Sequence, residues 1–201
     1  MFPLGMVLFP GAFLPLQVFE PRYLELVDAC LAGTPEFGVV LIERGFEVGG
    51  GDSRFDVGCV ARILEARELA RGRIGLATVG DRRVRVERWL DDDPFPRAEL
   101  VDWPDGEAVD SDEARLELVA AALRRVLAMA SELGDPVPPV ASVELVDDVV
   151  TASYQLASLA PVGALDRLAL LASSTPGARL DLLATLLDDA AAVLASRLGG
   201  G

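Results

Sequence analysis

The run LFPGAFLPLQVFEPRY at residues 8–23 sets the terms for everything that follows it. It is apolar, yet Pro10, Gly11, Pro15 and Pro21 break it before either a long helix or a long strand can form. Pro10-Gly11 marks a turn, so residues 4–9 and 13–19 are expected as short strands on either side. Pro15 has no backbone donor, which places the second strand at a sheet edge or a bulge. Pro21 brings the fixed φ of a first helical turn. A helix over 21–32 is expected, with Tyr23, Leu24, Val27 and Leu31 on one face and Gly33 as its stop.

The β pattern continues past that helix. FGVVLI at 37–42 is a short β-branched run of the kind buried on both faces. RGFEVGGGDSR at 44–54 is a loop; its triple glycine has no lysine, no following helix and two acidic neighbours, so it is read as a connection and not a phosphate cradle. Residues 55–69 alternate as a strand in which Gly58 marks a bulge. Arg71-Gly72 turns the chain into a strand at 73–79, Gly80-Asp81 is expected to make a tight hairpin into 83–90, and 97–103 adds another strand. About seven strands and one early helix point to a small curled or barrel-like β domain.

At Asp110 the periodicity changes. Asp110-x-x-Glu113 has the form of a capping box, and Leu116, Val119, Ala120, Leu123, Val126, Leu127 and Ala130 recur at helical spacing. GDPVPP at 134–139 is a linker, and helices are expected over about 142–159 and 164–172. Thr175-Pro176 caps and opens a last helix with Leu180, Leu183, Leu187, Ala191, Leu194 and Leu198 on one face. The fold class is therefore α+β, with a β-rich domain over 1–108 and a helical domain over 109–201.

Chemistry is narrowed mainly by what the sequence lacks. The 201 residues include no histidine, and all 18 basic residues are arginine. Without histidine or lysine there is no Ser-His-Asp triad, Cys-His pair, Schiff base or Walker lysine. Cys30 and Cys59 alone make neither a zinc set nor a CxxC motif and suit a reducing cytoplasm. The net charge of −14 is spread along the chain, with 12 arginines against 20 acids in residues 1–110 and 6 against 12 in the remainder. The first 19 residues are uncharged but carry three prolines and neither a basic n-region nor a cleavage motif, so no membrane segment is expected. A cytoplasmic protein without a cofactor is the expectation.

Three constellations remain. Arg82, Arg83, Arg85 and Arg88 are the densest basic cluster, but Glu87 and Asp91–Asp93 oppose a phosphate-binding field. A solvated face with Val84 and Val86 turned to the core is expected, with no nucleic-acid partner. Asp147-Asp148, Asp188-Asp189 and Asp91–Asp93 are paired carboxylates, but nothing in the spacing puts two of them in a cleft as acid–base chemistry requires. Glu20, the first charge in the chain, sits where a buried strand meets a helix; a capping or ion-paired role is weighed there against that of a polar anchor beside an apolar groove. Among the aromatics, Phe46 stands out in a polar loop, and most others are assigned to the core by alternation.

LFPGAFLPLQVFEPRY, FGVVLIERGFEVGGGD (37–52), FDVGCVARILE (55–65), VGDRRVRVERWL (79–90) and the helical segment at 154–187 together resemble the N-terminal substrate-recognition domain of the Lon proteases. The resemblance implies a PUA-like β pseudo-barrel with one early helix, followed by a bundle of about four helices. It also implies recognition of unfolded or degron-bearing proteins and a part in homo-oligomerisation. No catalytic residue carries over: the family's ATPase and protease motifs are not in this sequence, and a stand-alone, non-enzymatic form is expected. An apolar groove between the β domain and the helices, contacted through Phe9, Pro10, Phe19, Glu20, Arg22, Tyr23 and Phe46, is the expected peptide site. The competing expectation is an adaptor that docks on one folded partner such as a protease or chaperone.

Overall fold

Pro10 and Gly11 make a tight turn: the Ala12 N–H donates to the Phe9 carbonyl at 3.1 Å, and Gly11 has φ +78°, the left-handed value that the third position of a type II turn demands. The computed structural model describes residues 1–45, 47, 51–138 and 144–199. They form two units, Met1–Pro104 and Asp105–Gly201.

The first unit is a curled six-stranded mixed sheet carrying one helix. Its elements are β1 (Phe2–Leu4), β2 (Phe13–Val18), α1 (Pro21–Ala32), β3 (Glu36–Arg44), β4 (Ser53–Leu69), β5 (Arg73–Trp89) and β6 (Ala98–Asp102). The order is β1-β3-β4-β5-β2, with β6 also on β5. β1 runs parallel to β3, pairing Phe2 with Val39 and Leu4 with Leu41; every other pair is antiparallel. The first strand is thus shorter and earlier than the expected 4–9, because it pairs with a strand thirty-odd residues away and not across the Pro10-Gly11 turn. Pro15 does lie in an end strand, opposite Ala77.

The expected Gly80-Asp81 hairpin is instead a bulge inside one continuous strand. β4 follows β5 throughout, and the register slips by one between Ala61↔Gly80 and Val60↔Arg82, leaving Asp81 as the extra residue. The chain has no need to reverse there because Gly80 serves another purpose. Its N–H donates to the Ala12 carbonyl at 2.9 Å and its carbonyl accepts from the Gly11 N–H at 2.8 Å, which fastens the β2 turn to the middle of β5. The merged strand also accounts for six strands where about seven were expected.

That bulge inverts the alternation beyond it. Before it Leu76, Thr78 and Gly80 face the main core; after it Arg83 does, and Val84 and Val86 turn the other way, Val86 joining Met1 and Val40 in a second cluster. Arg83 is therefore buried, not on a solvated face. It donates to the carbonyls of Trp103 (2.9 Å) and Pro104 (3.2 Å) and lies over the Trp103 ring at 4.2 Å. The main core joins Leu14 and Val18 of β2 to Tyr23, Leu26, Val27 and Cys30 of α1 and to Phe37, Val39, Cys59 and Ala61. Fully burying a side chain such as Val27 contributes about 1.5–3 kcal/mol.

Arg54 holds the start of β4. It donates to Asp52 at 2.6 Å and to Asp92 at 2.6 and 3.0 Å, and lies 5.0 Å from the Trp89 ring. The hydrogen bonds from Arg54 hold the Asp92 carboxyl below the usual carboxylate range, so its stabilisation is present above that range and is lost as pH falls. In thermal melts from pH 7 to pH 3, Asp92→Asn is expected to lower the midpoint at pH 7, by the few degrees that a loss of less than about 1 kcal/mol for a partly exposed pair produces. The gap to the parent should close as pH drops below about 4. A gap that widens on acidification would contradict the assignment.

The second unit is all helix among its described residues: α2 (Ser111–Glu132), α3 (Val149–Leu159), α4 (Ala164–Ala172) and α5 (Pro176–Gly199). Leu116, Val119, Ala120, Leu123, Val126, Leu127 and Ala130 of α2 are buried, as are Leu180, Leu183, Leu187 and Leu194 of α5. The expected capping box is replaced: Asp110 has helical backbone angles and no side-chain cap, while the Asp112 carboxylate accepts from the Val109 N–H at 3.0 Å and from Arg115 at 2.7 Å. α3 begins later than expected because Asp148 caps it, accepting from the Thr151 N–H at 2.8 Å; residues 139–143 lie outside the described residues. Thr175 caps α5 as the sequence implies, its Oγ1 accepting from the Ala178 N–H at 3.1 Å.

One polar cluster is buried within this unit. Arg179 is fully buried and donates to the Leu170 carbonyl (3.1 Å), to Ser153 Oγ (2.7 Å) and to Asp105, while its guanidinium lies 3.6 Å from the Tyr154 ring centroid. Tyr154 Oη donates to the same Asp105 at 2.7 Å. The charge is thus paired and its donors are used, the condition on which a buried charge is tolerated.

Candidate functional site

β1 and β2 are the two ends of the curled sheet, and the gap where the curl fails to close is a groove. It encloses about 220 Å³ and is walled by Phe2 and Leu4 of β1, Pro15 and Leu16 of β2, and Phe19, Glu20 and Tyr23 at the entry to α1. The walls from β2 and the entry to α1 follow from the local sequence. Period-two alternation in β2 buries Leu14 and Val18 and leaves Phe13, Pro15 and Gln17 outside. Phe19 is the last outward residue before Pro21 starts the helix, and it is 54% exposed. Phe2 stacks on Tyr23 with ring centroids 4.2 Å apart at 11°, and Arg22 covers the Tyr23 ring at 4.4 Å.

Polar groups close one end. Arg22 pairs with Glu20 at 3.2 Å and donates to the Glu47 carbonyl at 3.3 Å, and Glu47 Oε1 accepts from the Gly5 N–H at 2.6 Å. Glu20 stands at the N-cap of α1 without a side-chain cap bond, so its carboxylate serves the ion pair and not the helix end. Burial pushes the Tyr23 hydroxyl up to about 12, keeping it neutral across the physiological range. The groove is an apolar slot with one ion pair at its rim, suited to holding an apolar side chain and to fixing backbone polar groups.

The sequence-derived residues divide three ways. Phe19, Glu20 and Tyr23 line the groove, with Arg22 beside them. Phe9 is 1% exposed in the core and Pro10 forms the turn that docks on Gly80, so both stand apart from the groove lining. Phe46 lies outside the described residues. Phe2, Leu4 and Leu16 were not foreseen. No local pattern reports the parallel pairing that brings β1 there, whereas stepping back by twos from Phe19 through Gln17 and Pro15 does report Phe13, which is 63% exposed and not in the core.

Elsewhere the arginines of the basic cluster have partners. Arg82 pairs with Glu36, Asp81 and Asp102, Arg88 with Glu99, and Arg85 lies 4.0 Å from the Trp103 ring centroid. Glu36, Asp92, Asp135 and Asp148 are all held below the usual carboxylate range by hydrogen bonds from Arg82, Arg54, Arg197 and Thr151. A general acid needs the opposite shift. Among the described residues no group of His, Cys, Asp or Glu could hold a metal ion, and no helix is long and apolar enough to cross a membrane.

Residues 1–189 match the family model described as the ATP-dependent protease La (LON) substrate-binding domain. The chain belongs to that family. A crystal structure of a Lon N-terminal domain protein from Xanthomonas campestris is 30% identical, with a TM-score of 0.65 over 92% of this chain and 95% of that one. The N-terminal domain of Mycobacterium avium complex Lon protease, 18% identical, shares the fold with a TM-score of 0.67 over 93% of this chain. The Lon protease of Cytophaga hutchinsonii is 34% identical over 97 residues, which is 48% of this chain and 12% of that protease. Lon protease 1 of Herpetosiphon aurantiacus is 26% identical over 178 residues, 84% of this chain and 21% of that protease. The chain thus spans about a fifth or less of the length of these two proteases. The curled mixed sheet and five helices of the described residues are the Lon N-terminal α+β architecture.

Proposed function

We propose that this Lon-family domain is a non-catalytic recognition module that takes extended apolar segments of non-native proteins into the slot between β1 and β2. The observation that carries the reading is the open end of the sheet. Two end strands flank an apolar slot whose rim displays Phe19, with Phe13 exposed farther along β2. An extended segment there would bury apolar side chains and offer its backbone to an end strand, the strand-addition mode of peptide recognition. Family membership supports substrate binding, the downward carboxylate shifts argue against acid catalysis, and the occupied arginines argue against a phosphate groove.

The test is a fluorescence anisotropy titration with a reduced, carboxymethylated model protein and with its native form. Saturable binding of the unfolded form alone is expected. Phe19→Ser should weaken it about tenfold, the scale of losing one exposed aromatic anchor. No saturable binding, or affinity unchanged in a Phe13→Ser/Phe19→Ser double variant, would remove the reading. A single folded partner captured in fixed stoichiometry would point to the adaptor role instead.

A further inference from the structure

A larger groove lies wholly within the helical unit. It encloses about 560 Å³ and runs beside the C-terminal half of α5, facing the turn between α3 and α4 and the chain just after α2. We propose that it is a second docking site, independent of the β1–β2 slot, for peptide segments that combine apolar and basic side chains.

Its shape fits a chain better than a compact molecule. The α5 residues that line it recur at steps of three and four from Leu186 through Ala190 and Val193 to Arg197. That is one stripe over three helical turns, about 16 Å long, or about five residues of extended peptide. The stripe is a second face of α5, since Leu180, Leu183 and Leu187 already serve the core. Val193 on it is 61% exposed.

Its charge selects the occupant. Arg197 is committed to Asp135 by two hydrogen bonds, of 2.6 and 3.0 Å. Arg167, next to the groove, is committed to the carbonyls of Ser158 and Ala160. Asp166 and Asp189 therefore line the groove with no arginine paired to either among the described residues. The complementary ligand has aliphatic groups for the floor and a cation for each carboxylate, and the overall charge of −14 draws such a ligand in.

The test uses the 201-residue protein and two 12-residue fluorescent peptides with leucines at the same positions, one filled out with arginine and the other with glutamate. The arginine peptide is expected to bind saturably, at least tenfold tighter than its glutamate counterpart and more weakly as salt is raised. Asp166→Asn/Asp189→Asn should reduce its affinity about five- to tenfold, the scale of two exposed ion pairs. Ala190→Trp, which fills the groove, should abolish binding while circular dichroism stays unchanged. Phe19→Ser should leave the arginine peptide's affinity intact, which separates this site from the β1–β2 slot. Equal affinity for the two peptides, no binding of either, an unaffected double-asparagine variant, or loss of binding in Phe19→Ser would each overturn the proposal.

Discussion

Gly80→Ala is expected to destabilise the sheet unit by about 3 kcal/mol or more, among the largest effects that a single methyl can have. A Cβ at Gly80 would lie 2.1 Å from the Phe9 carbonyl oxygen and 2.9 Å from its carbon. The obstacle is backbone, so no rotamer change relieves it. To make room, the turn would have to lift and give up both hydrogen bonds that join Gly11 and Ala12 to Gly80. Gly75→Ala is the control on the same strand, because its Cβ meets only the flexible methyl ends of Leu69, the nearest at 3.3 Å. Urea denaturation measures both. If the two variants fall within 1 kcal/mol of each other, the turn is not fastened to β5 as described.

Arg179→Met is expected to cost the helical unit about 3–5 kcal/mol, the range found when one partner of a buried pair is removed. Methionine fills much of the volume, so the loss is electrical: Asp105 loses its guanidinium, and Ser153 and the Leu170 carbonyl lose their donors. Adding Asp105→Leu should recover part of the loss, since a carboxylate without its counter-charge is its main source. Hydrogen exchange provides a second reading. Protection should fall across α3, α4 and α5 while the amides of β3, β4 and β5 keep theirs. A uniform loss over the whole chain, or no recovery in the double variant, would show that Arg179 acts otherwise.

Local chemistry was legible where one residue type decides the backbone. Pro10-Gly11, Pro15, Pro21, Gly33 and Thr175-Pro176 all stand where the sequence requires, because φ preferences and missing donors act within a few residues. The errors share another cause. Gly80-Asp81 has hairpin composition, but a glycine can also mark close approach of another backbone, and only the tertiary partner Phe9 decides between the two. Val84 and Val86 are buried as the sequence implies, but Arg83 is buried too, because this part of β5 is covered on both faces and alternation within one strand cannot report a second cover. The site was half legible for the same reason. Phe19, Glu20 and Tyr23 are contiguous with the turn chemistry, whereas Phe2 and Leu4 arrive through a parallel pairing. The α5 groove had no signal in a single helix, since its opposite wall comes from two turns.

The shared strand β5 also sets an order of events during synthesis. β2, at residues 13–18, finds its partner only at residues 74–79, and the Pro10-Gly11 turn waits for Gly80. At about 5–20 residues per second, a ribosome takes several seconds to supply them. Throughout that interval the apolar opening, Leu8, Phe9, Leu14 and Val18 included, has no sheet to enter. A domain proposed as a receptor for exposed apolar segments thus displays one of its own until β5 is made.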